Sequence, residues 1–429
     1  MGGLLTRAGF HLTADPKDAQ ILVVNTCGFI GPAREESLET LRRLAQDKCP
    51  GQILIAAGCL TQRYGWQVAQ QVQGIDGILG TRRWMDIVQV VQKLRAGMPP
   101  GPLYHLPEGT ELGMEANGIP RTASQGASAY LKIADGCRRP CAFCAIPLIK
   151  GTAVSRSPER ILADARILQD QGIREIILIA QDTTDYGHDL GLRDGLSQLI
   201  AGLLAEAPGV DWLRVMYAYP GYVTDRLIDT LAAHPACVHY LDLPLQHAHP
   251  SVLRRMRRPA SVEAVRRTLE KLRNAMPDIA LRTTFLVGYP GETEAEFQEL
   301  LDFVADAKFD RVGVFTFSFE VGTASESLGD PVPREVKEER RDRLMSLQQR
   351  ISLHSNQAQV GRRLRVLCEG KGDGISLGRS YRDAPEIDGM VIVDREIAPG
   401  TMADVLITGA LTYDLSGVLV EKEGKTPKP

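Results

Sequence analysis

Long apolar runs are missing from this chain of 429 residues. Stretches such as Ile21 to Val24 and Ile176 to Ala180 are strand-sized, far short of the roughly 18 residues that cross a bilayer, which argues against a membrane-spanning protein. The opening M-G-G-L-L-T-R-A-G-F has no basic region, apolar core and small-residue cleavage site in series, so no secretory signal is read and the expected location is the cytoplasm. Aromatic residues make up 6%, charged residues 24% and apolar residues 44%. That composition excludes collagen, low-complexity disorder and a disulfide-stapled miniprotein. Charge of one sign is not in excess either. Lys and Arg number 50 against 53 Asp and Glu, a net charge of -3, so no blanket attraction to phosphate backbones is built in, although a local basic patch remains open. Cysteine is scarce: eight residues are too few to staple a chain of this length, and a reducing cytosol would keep them as thiols. At about 150 residues per domain the length suggests roughly three domains.

What is present has an order. The first hundred residues alternate strand-like runs (Ile21 to Val24, Ile53 to Ala57) with helix-like ones (Arg34 to Gln46, Met85 to Leu94), the pattern of a parallel α/β sheet. Cys27 follows the first run and Cys59 the second, which places both beyond the carboxyl ends of strands, where open α/β sheets hold ligands. From Pro99 to Ser128 the composition turns to Gly, Pro, Thr and Ser without periodicity and reads as a linker. Six strand-like runs follow, near 130–134, 175–180, 212–218, 238–243, 281–287 and 311–317. Helical segments near 158–171, 193–206, 224–233, 262–275 and 293–307 separate them. Right-handed crossovers would curl such a series into a partial (β/α)6 barrel. Residues 334–359 read as a charged helix packed on the barrel exterior through Leu344, Leu347 and Ile351. Beyond Gly361, short β-rich runs (Leu364 to Cys368, Met390 to Val393, Met402 to Thr408, Gly417 to Val420) suggest a small antiparallel β-barrel. Residues 357–429 hold ten Lys or Arg and eleven Asp or Glu, whereas a nucleic-acid clamp would usually be basic.

The clustering of the cysteines is the strongest signal. Cys137, Cys141 and Cys144 have the spacing C-x3-C-x2-C in the segment D-G-C-R-R-P-C-A-F-C, just after the first barrel strand. Three thiolates from one short loop can ligate three irons of a [4Fe-4S] cluster and leave the fourth iron open to substrate or cofactor. The alternative, zinc, needs a fourth protein ligand and usually paired C-x2-C knuckles, and the nearest histidine in sequence is His105.

With this spacing and the aromatic Phe143 before the last cysteine, the chain resembles the radical S-adenosylmethionine (SAM) superfamily. Within it the chain resembles the methylthiotransferases, specifically those that modify ribosomal protein uS12. The matching stretches are N-T-C-G-F-I (25–30), Y-L-K-I-A-D-G-C (130–137), C-A-F-C-A-I-P (141–147), T-T-F-L-V-G-Y-P-G-E-T (283–293) and G-R-S-Y-R-D-A-P-E-I-D-G (378–389). The resemblance implies a methylthiotransferase α/β domain over 1–105, a radical SAM core over 123–356 and a TRAM β-barrel over 357–425. It implies methylthiolation of the β-carbon of one uS12 aspartate with two SAM molecules. Two [4Fe-4S] clusters follow from it, one on Cys137, Cys141 and Cys144 and an auxiliary one for which Cys27 and Cys59 supply two of the usual three ligands. An electron donor and a sulfur donor would be further partners. SAM contacts are expected from Phe143, Gln181, Gly288 and Gly291, with Asp182 and Glu292 nearby; no catalytic side chain is assigned. An unactivated C–H bond lies beyond any side-chain base, so a cofactor must carry that step.

The chain departs from the family at its beginning. The family's opening strand, cysteine and helix have no counterpart before G-L-L-T-R-A-G-F, which would leave a sheet edge or core face uncovered and is expected of a shortened or misassigned start. Cys49, in K-C-P-G, precedes the second strand and reads as a spare surface thiol at the opposite end of the sheet. Cys237 and Cys368 read as small buried hydrophobes. His247 and His249, in L-Q-H-A-H-P, read as capping or positioning residues rather than a metal pair. Glu292 reads as a helix-terminus residue. Two other readings are a tRNA adenosine methylthiotransferase, disfavoured by the near-neutral final domain, and a non-catalytic iron-sulfur RNA-binding module.

Overall fold

The I-L-V-V-N-T and I-L-I-A-A-G runs form β1 (Ile21–Thr26) and β2 (Ile53–Gly58) of a parallel sheet completed by β3 (Gly77–Gly80) and β4 (Leu103–His105), in the order β1-β2-β3-β4. The structure is a computed structural model describing residues 1–97, 100–107 and 122–420. Every residue of β2 is buried, because helices cover both faces of the sheet. Alternation sorts the contacts. Leu54 and Ala56 join Leu38 and Leu41 of α2 (Gly31–Gln46) and Leu60 and Val68 of α3 (Cys59–Gln71) on one face. Ile53, Ile55 and Ala57 join Leu5 of α1 (Gly2–Arg7) and Val90, Val91 and Leu94 of α4 (Ile87–Ala96) on the other.

By their contacts the residues fall into two compact units. One comprises Met1–Pro120, Asp135–Val154 and Ser318–Asp330; the other comprises Arg121–Ala134, Ser155–Phe317 and Pro331–Pro429. The cysteine-trio loop thus groups with the first sheet, and the C-terminal barrel with the core sheet. Of the expected linker, Pro99 and residues 108–121 lie outside the described residues. Leu103–His105 and Thr122–Gln125 are strands rather than linker: β4 is carried by the first sheet, and β5 (Thr122–Gln125) pairs with the next strand.

In the second unit β5 is antiparallel to β6 (Ser128–Lys132). From there β6, β9 (Glu175–Ile179), β10 (Trp212–Val215), β11 (Cys237–Asp242), β12 (Ala280–Val287) and β13 (Arg311–Thr316) run parallel, in the order β13-β12-β11-β10-β9-β6-β5. This is the six-unit βα series read from the sequence, as an open curled sheet. The chain between β6 and β9 carries the two-residue strands β7 (Ala134–Asp135) and β8 (Val154–Ser155) and the short α5 (Ile146–Lys150). One face of the sheet packs Ala129, Leu131, Leu178, Leu213 and Phe285 against α6 (Pro158–Asp170), α7 (Gly195–Glu206), α8 (Asp225–Ala233), α10 (Val262–Ala275) and α11 (Glu294–Ala307). The long α12 (Arg334–Gln357) adds buried Leu344 and partly buried Leu347 and Ile351 to that layer, as its spacing predicts. The opposite, inner face carries a second cluster with Ile177, Trp212, Met216, Val238, Tyr240 and Ala280. β10 ends at Val215, not near 218, because Tyr217 takes a left-handed backbone with φ of 59°.

The C-terminal strands β14 (Arg363–Gly372), β15 (Ile375–Ser380), β16 (Val391–Val393), β17 (Met402–Ala410) and β18 (Leu415–Leu419) close into a five-stranded barrel. Four of its five pairings are antiparallel, and β16 with β18 is parallel. Sequence reading missed β15 because I-S-L-G-R-S offers no apolar run.

The 378–389 stretch docks this barrel against the amino ends of the core strands. Glu175, the first residue of β9, is fully buried between two guanidiniums, Arg214 Nε at 2.7 Å and Arg379 Nη2 at 2.6 Å, and accepts from Ser128 Oγ at 2.9 Å. Burial alone would raise the Glu175 carboxyl, but the two guanidiniums outweigh it and hold it at about 2. Arg311 meets Asp383 at 2.6 Å and Arg382 meets Asp310 at 2.6 Å. The Tyr240 hydroxyl donates to Asp388 at 2.7 Å.

Glu175→Gln leaves two buried cations short of a counter-charge and is expected to destabilise the second unit by about 3 kcal/mol in denaturant melts. The folded value lies below the ordinary 4.5, so the carboxylate's contribution is complete above 4.5 and is lost as pH falls toward about 2. The variant should lack that part of the acid slope; equal slopes would refute the assignment.

Candidate functional site

The trio loop is shaped by its glycine. Gly136 has φ of 75°, and a Cβ there would collide with the Thr152 carbonyl oxygen, so the chain can turn into the cysteines only without a side chain. The Cys137 N–H then donates to Gly151 O at 3.1 Å, and the Cys144 N–H to Cys141 O at 3.2 Å, closing the loop on itself. α5 follows, and Lys150 returns to Asp135 at 3.1 Å. Arg82 fixes the end of α5 by donating to Ile149 O at 2.9 Å and Leu148 O at 3.0 Å.

All three cysteines line one cavity of about 410 Å³, together with Arg138, Arg139, Thr152 and Gly322 to Ala324. The Arg139 N–H donates to Cys137 Sγ at 3.4 Å, a contact that strengthens as the sulfur takes on thiolate charge. Among the described residues no three His, Cys, Asp or Glu side chains converge on a single-ion site. A cluster asks for something else, one thiolate on each of three irons, and three thiols facing a shared cavity with arginines at its wall fit that donor set. Phe143 is half-buried and is not among the residues lining the cavity.

Cys27 and Cys59 come together through strand register. Thr26 pairs with Gly58, so these cysteines are the first residues past the carboxyl ends of neighbouring strands. Gly28 lies flat on the start of α3, where a Cβ would approach Leu60 Cα to 2.6 Å. Cys59 opens α3, whose N-terminal dipole favours a thiolate, and the Cys27 N–H donates to Ser37 Oγ at 3.0 Å. Arg63 of α3 reaches Gly28 O at 3.1 Å and Glu320 at 2.6 Å, bracing the pair. Cys49 is exposed before β2, at the opposite end of the sheet from Cys27 and Cys59, while Cys237 and Cys368 are buried.

In the second unit, Gln181 follows β9, half-buried, and its Oε1 is buried without a hydrogen-bond partner among the described residues. Asp182 accepts from Thr184 Oγ1 at 2.5 Å. Gly288 and Gly291 both have positive φ, 71° and 77°. At Gly288 the missing Cβ makes way for the Lys337 side chain, so packing within the fold already requires glycine there; Gly291 is exposed.

Glu292 does not cap α11. Thr293 and Glu296 form that capping box, while the Glu292 carboxylate accepts from Tyr289 N at 3.1 Å and from Arg340 at 3.1 Å. Burial raises its carboxyl to about 7 against these donors. The histidines act as caps: His249 Nδ1 accepts from Ser251 N at the start of α9 (Pro250–Arg255), and His247 Nδ1 accepts from His249 N at 2.9 Å. Burial pushes His247 down to about 3. Sequence reasoning missed Tyr217 and Gln246, non-glycine residues at φ of 59° and 75°, and nothing in their neighbours signals that backbone.

Comparison with known proteins accounts for each part. The Radical SAM superfamily model matches residues 131–304, the TRAM domain model 360–420 and the model called Uncharacterized protein family UPF0004 residues 1–80. A ribosomal protein uS12 methylthiotransferase RimO from Chloroflexus aurantiacus is 48% identical over 437 residues, covering 97% of this chain and 95% of the relative. Another with that name, from Symbiobacterium thermophilum, is 44% identical, covering 98% and 87%. Among solved structures, the radical SAM methyltransferase TsrM from Kitasatospora setae with cobalamin and [4Fe-4S] cluster bound has a TM-score of 0.50 at 15% identity. It covers 83% of this chain and 68% of its own, a likeness of fold alone. Three domain models matched in order along the chain, and relatives 44–48% identical over nearly the whole of it, carry the conclusion that the chain belongs to the RimO family of radical SAM methylthiotransferases.

Proposed function

We propose that this enzyme methylthiolates the β-carbon of one aspartate of ribosomal protein uS12, consuming two SAM molecules and a sulfur donor. The observation that carries the proposal is the cavity onto which Cys137, Cys141 and Cys144 all open. Those three thiolates would hold a [4Fe-4S] cluster, and Cys27 and Cys59 would supply two of the thiolates of an auxiliary cluster. When bound, the first cluster with SAM supplies an oxidant strong enough to take a hydrogen atom from an unactivated carbon; a second SAM supplies the methyl group.

The chain's own residues position and balance charge. Arg138 and Arg139 at the cavity wall offset thiolate charge, and Gly136 fixes the loop so that the three sulfurs are presented from one short segment. Gln181, with a buried acceptor lacking a partner among the described residues, and the backbone around Gly288 and Gly291 are the SAM contacts we infer in the second unit, with Phe143 a further contact from the trio loop. The functional division we infer is 1–105 for the auxiliary cluster, 123–356 for radical generation and 357–425 for a TRAM barrel. The final domain's ten basic and eleven acidic residues suit a cationic ribosomal protein better than tRNA. The RimO names of the full-length relatives support the same substrate.

Deleting the gene should remove a mass increment of about 46 Da, methylthio in place of hydrogen, from one uS12 aspartate, and an unchanged mass spectrum would end the reading. Cys144→Ala should abolish 5′-deoxyadenosine formation in anaerobic enzyme given SAM and reductant; retained cleavage contradicts the ligand set. Cys27→Ala should lower iron from about eight to about four atoms per chain in reconstituted protein. It should still cleave SAM while leaving uS12 unmodified. Unchanged iron content would remove Cys27 from the auxiliary site.

A further inference from the structure

Between β13 and α12 the chain leaves the second unit, and Ser318–Asp330 belongs to the first, together with both groups of cysteines. Phe319 and Val321, the large apolar residues at the start of this strap, are exposed, so charge rather than core packing holds it. The Glu320 carboxylate accepts from Arg63 Nη1 at 2.6 Å and from Ser318 Oγ at 3.1 Å, and the Val321 carbonyl accepts from Arg63 Nη2 at 2.6 Å. Both side chains of the ion pair are buried, Arg63 7% and Glu320 3% exposed. The same Arg63 Nη1 donates to Gly28 O at 3.1 Å, and the Gly31 N–H donates to Ser318 Oγ at 3.3 Å. One end of the strap is thereby fastened to the backbone that follows Cys27.

The other end is fastened to the trio loop. The Glu320 carbonyl accepts from Thr323 N at 3.3 Å and from Thr323 Oγ1 at 2.8 Å, closing a tight turn through Gly322 at φ of 80°. That turn sets Gly322 to Ala324 on the wall of the cavity shared by Cys137, Cys141 and Cys144. Further on, the buried Ser325 donates its N–H at 2.9 Å to the carbonyl of Ala142, which lies between Cys141 and Cys144 in the chain. From Gly28 O through Arg63, Glu320 and Thr323 to the cavity wall, every link is a single side chain or a single turn.

We propose that Arg63 and Glu320 are a positioning pair that fixes the Cys27 and Cys59 site relative to the cavity of Cys137, Cys141 and Cys144. This rests on the proposed function, in which the first site serves the second. A buried ion pair is a poor fastener on energy alone, because desolvating its two charges offsets most of their attraction and an apolar contact would hold the strap as firmly. What the pair adds is direction. The Arg63 guanidinium engages Gly28 O, the Glu320 carboxylate and Val321 O at once, in a planar fork that a lysine cannot reproduce, and it stacks over the Tyr64 ring at 4.8 Å. The strap therefore cannot slide along α3 without breaking charged hydrogen bonds, and the two thiolate sites keep one spacing.

The test uses the full-length chain with Glu320→Gln, Arg63→Lys, and the double variant. In cluster-free protein, Glu320→Gln should speed hydrogen exchange roughly tenfold at both the Gly31 and the Ser325 N–H, one at each end of the strap. After reconstitution, each single variant should keep its iron and should form roughly ten times more 5′-deoxyadenosine per methylthiolated uS12 than wild type, and the double variant should be no worse than either single one. A pair that only supports the fold would lower iron content and leave that ratio alone. Faster exchange at one end only, an unchanged ratio, multiplying effects in the double variant, or loss of iron from every variant would overturn the positioning role and leave the two-cluster reading intact. Wild-type enzyme that takes up only about four irons, or that leaves uS12 unmodified, overturns the underlying reading and this proposal with it.

Discussion

One buried carboxylate organises the larger unit. Glu175 sits at the amino end of β9 with no access to water, and an isolated charge in such a place would be too costly to keep. It stays ionised because Arg214 from the neighbouring strand and Arg379 from the C-terminal barrel approach from two sides. The requirement is mutual. Arg214 is equally buried, stacks on the Tyr240 ring at 4.5 Å and donates to Tyr381 O, so the guanidinium also grips the 378–389 stretch. Core sheet and C-terminal barrel are thereby coupled by charge at one point and by the surrounding pairs Arg311–Asp383 and Arg382–Asp310 at others. A hydrophobic contact of the same area would tolerate sliding; directional ion pairs fix register, and with it the position of the loop that reaches Tyr240 and Arg282.

The two groups of cysteines illustrate different routes to a thiolate site. Cys137, Cys141 and Cys144 are consecutive in a loop, so their grouping is encoded by spacing, and the fold has only to turn the loop at Gly136. Cys27 and Cys59 are 32 positions apart and meet because parallel pairing sets Thr26 against Gly58. The first arrangement resists distortion of the sheet; the second is only as good as the β1–β2 register. Cys59 gains from the α3 terminus, whereas Cys27, exposed beyond an edge strand, draws on the Ser37 hydroxyl for order.

That difference explains what could be read from the residues. Periodicity exposed the six βα units to within a few residues, because buried parallel strands are near-continuous apolar runs and helices carry a 3.6-residue stripe. The boundaries failed where local chemistry was overruled by distant partners: β10 stops early because Asp242 and Thr183 clamp Tyr217, and neither lies near it in sequence. Gly288, in the G-Y-P-G-E string, also makes way for the Lys337 side chain, a packing need 49 positions away that its neighbours do not signal. Glu292 looks like a helix-start acid and instead latches a loop to Arg340. β15 was invisible because a five-stranded barrel accepts a strand containing Gly378, whose Cβ would crowd Leu367 O at 2.5 Å. Short-range patterns reveal elements; interactions over tens of residues decide their ends and the meaning of their glycines.

The inner face of the core sheet carries this further. An enzyme that relies on bound cofactors for bond-breaking has little need of side-chain acids and bases, and its fold is free to devote charge to position. The charges here are spent in pairs: Asp242 with Arg282, Glu175 with Arg214 and Arg379, Asp388 beside Arg282. Burial raises the Asp242 carboxyl even though Arg282 opposes the rise, as expected of a group whose value to the fold lies in being held. The buried Asp242 also sets backbone: it accepts from the N–H of Tyr217, which is held in the left-handed region at the end of β10.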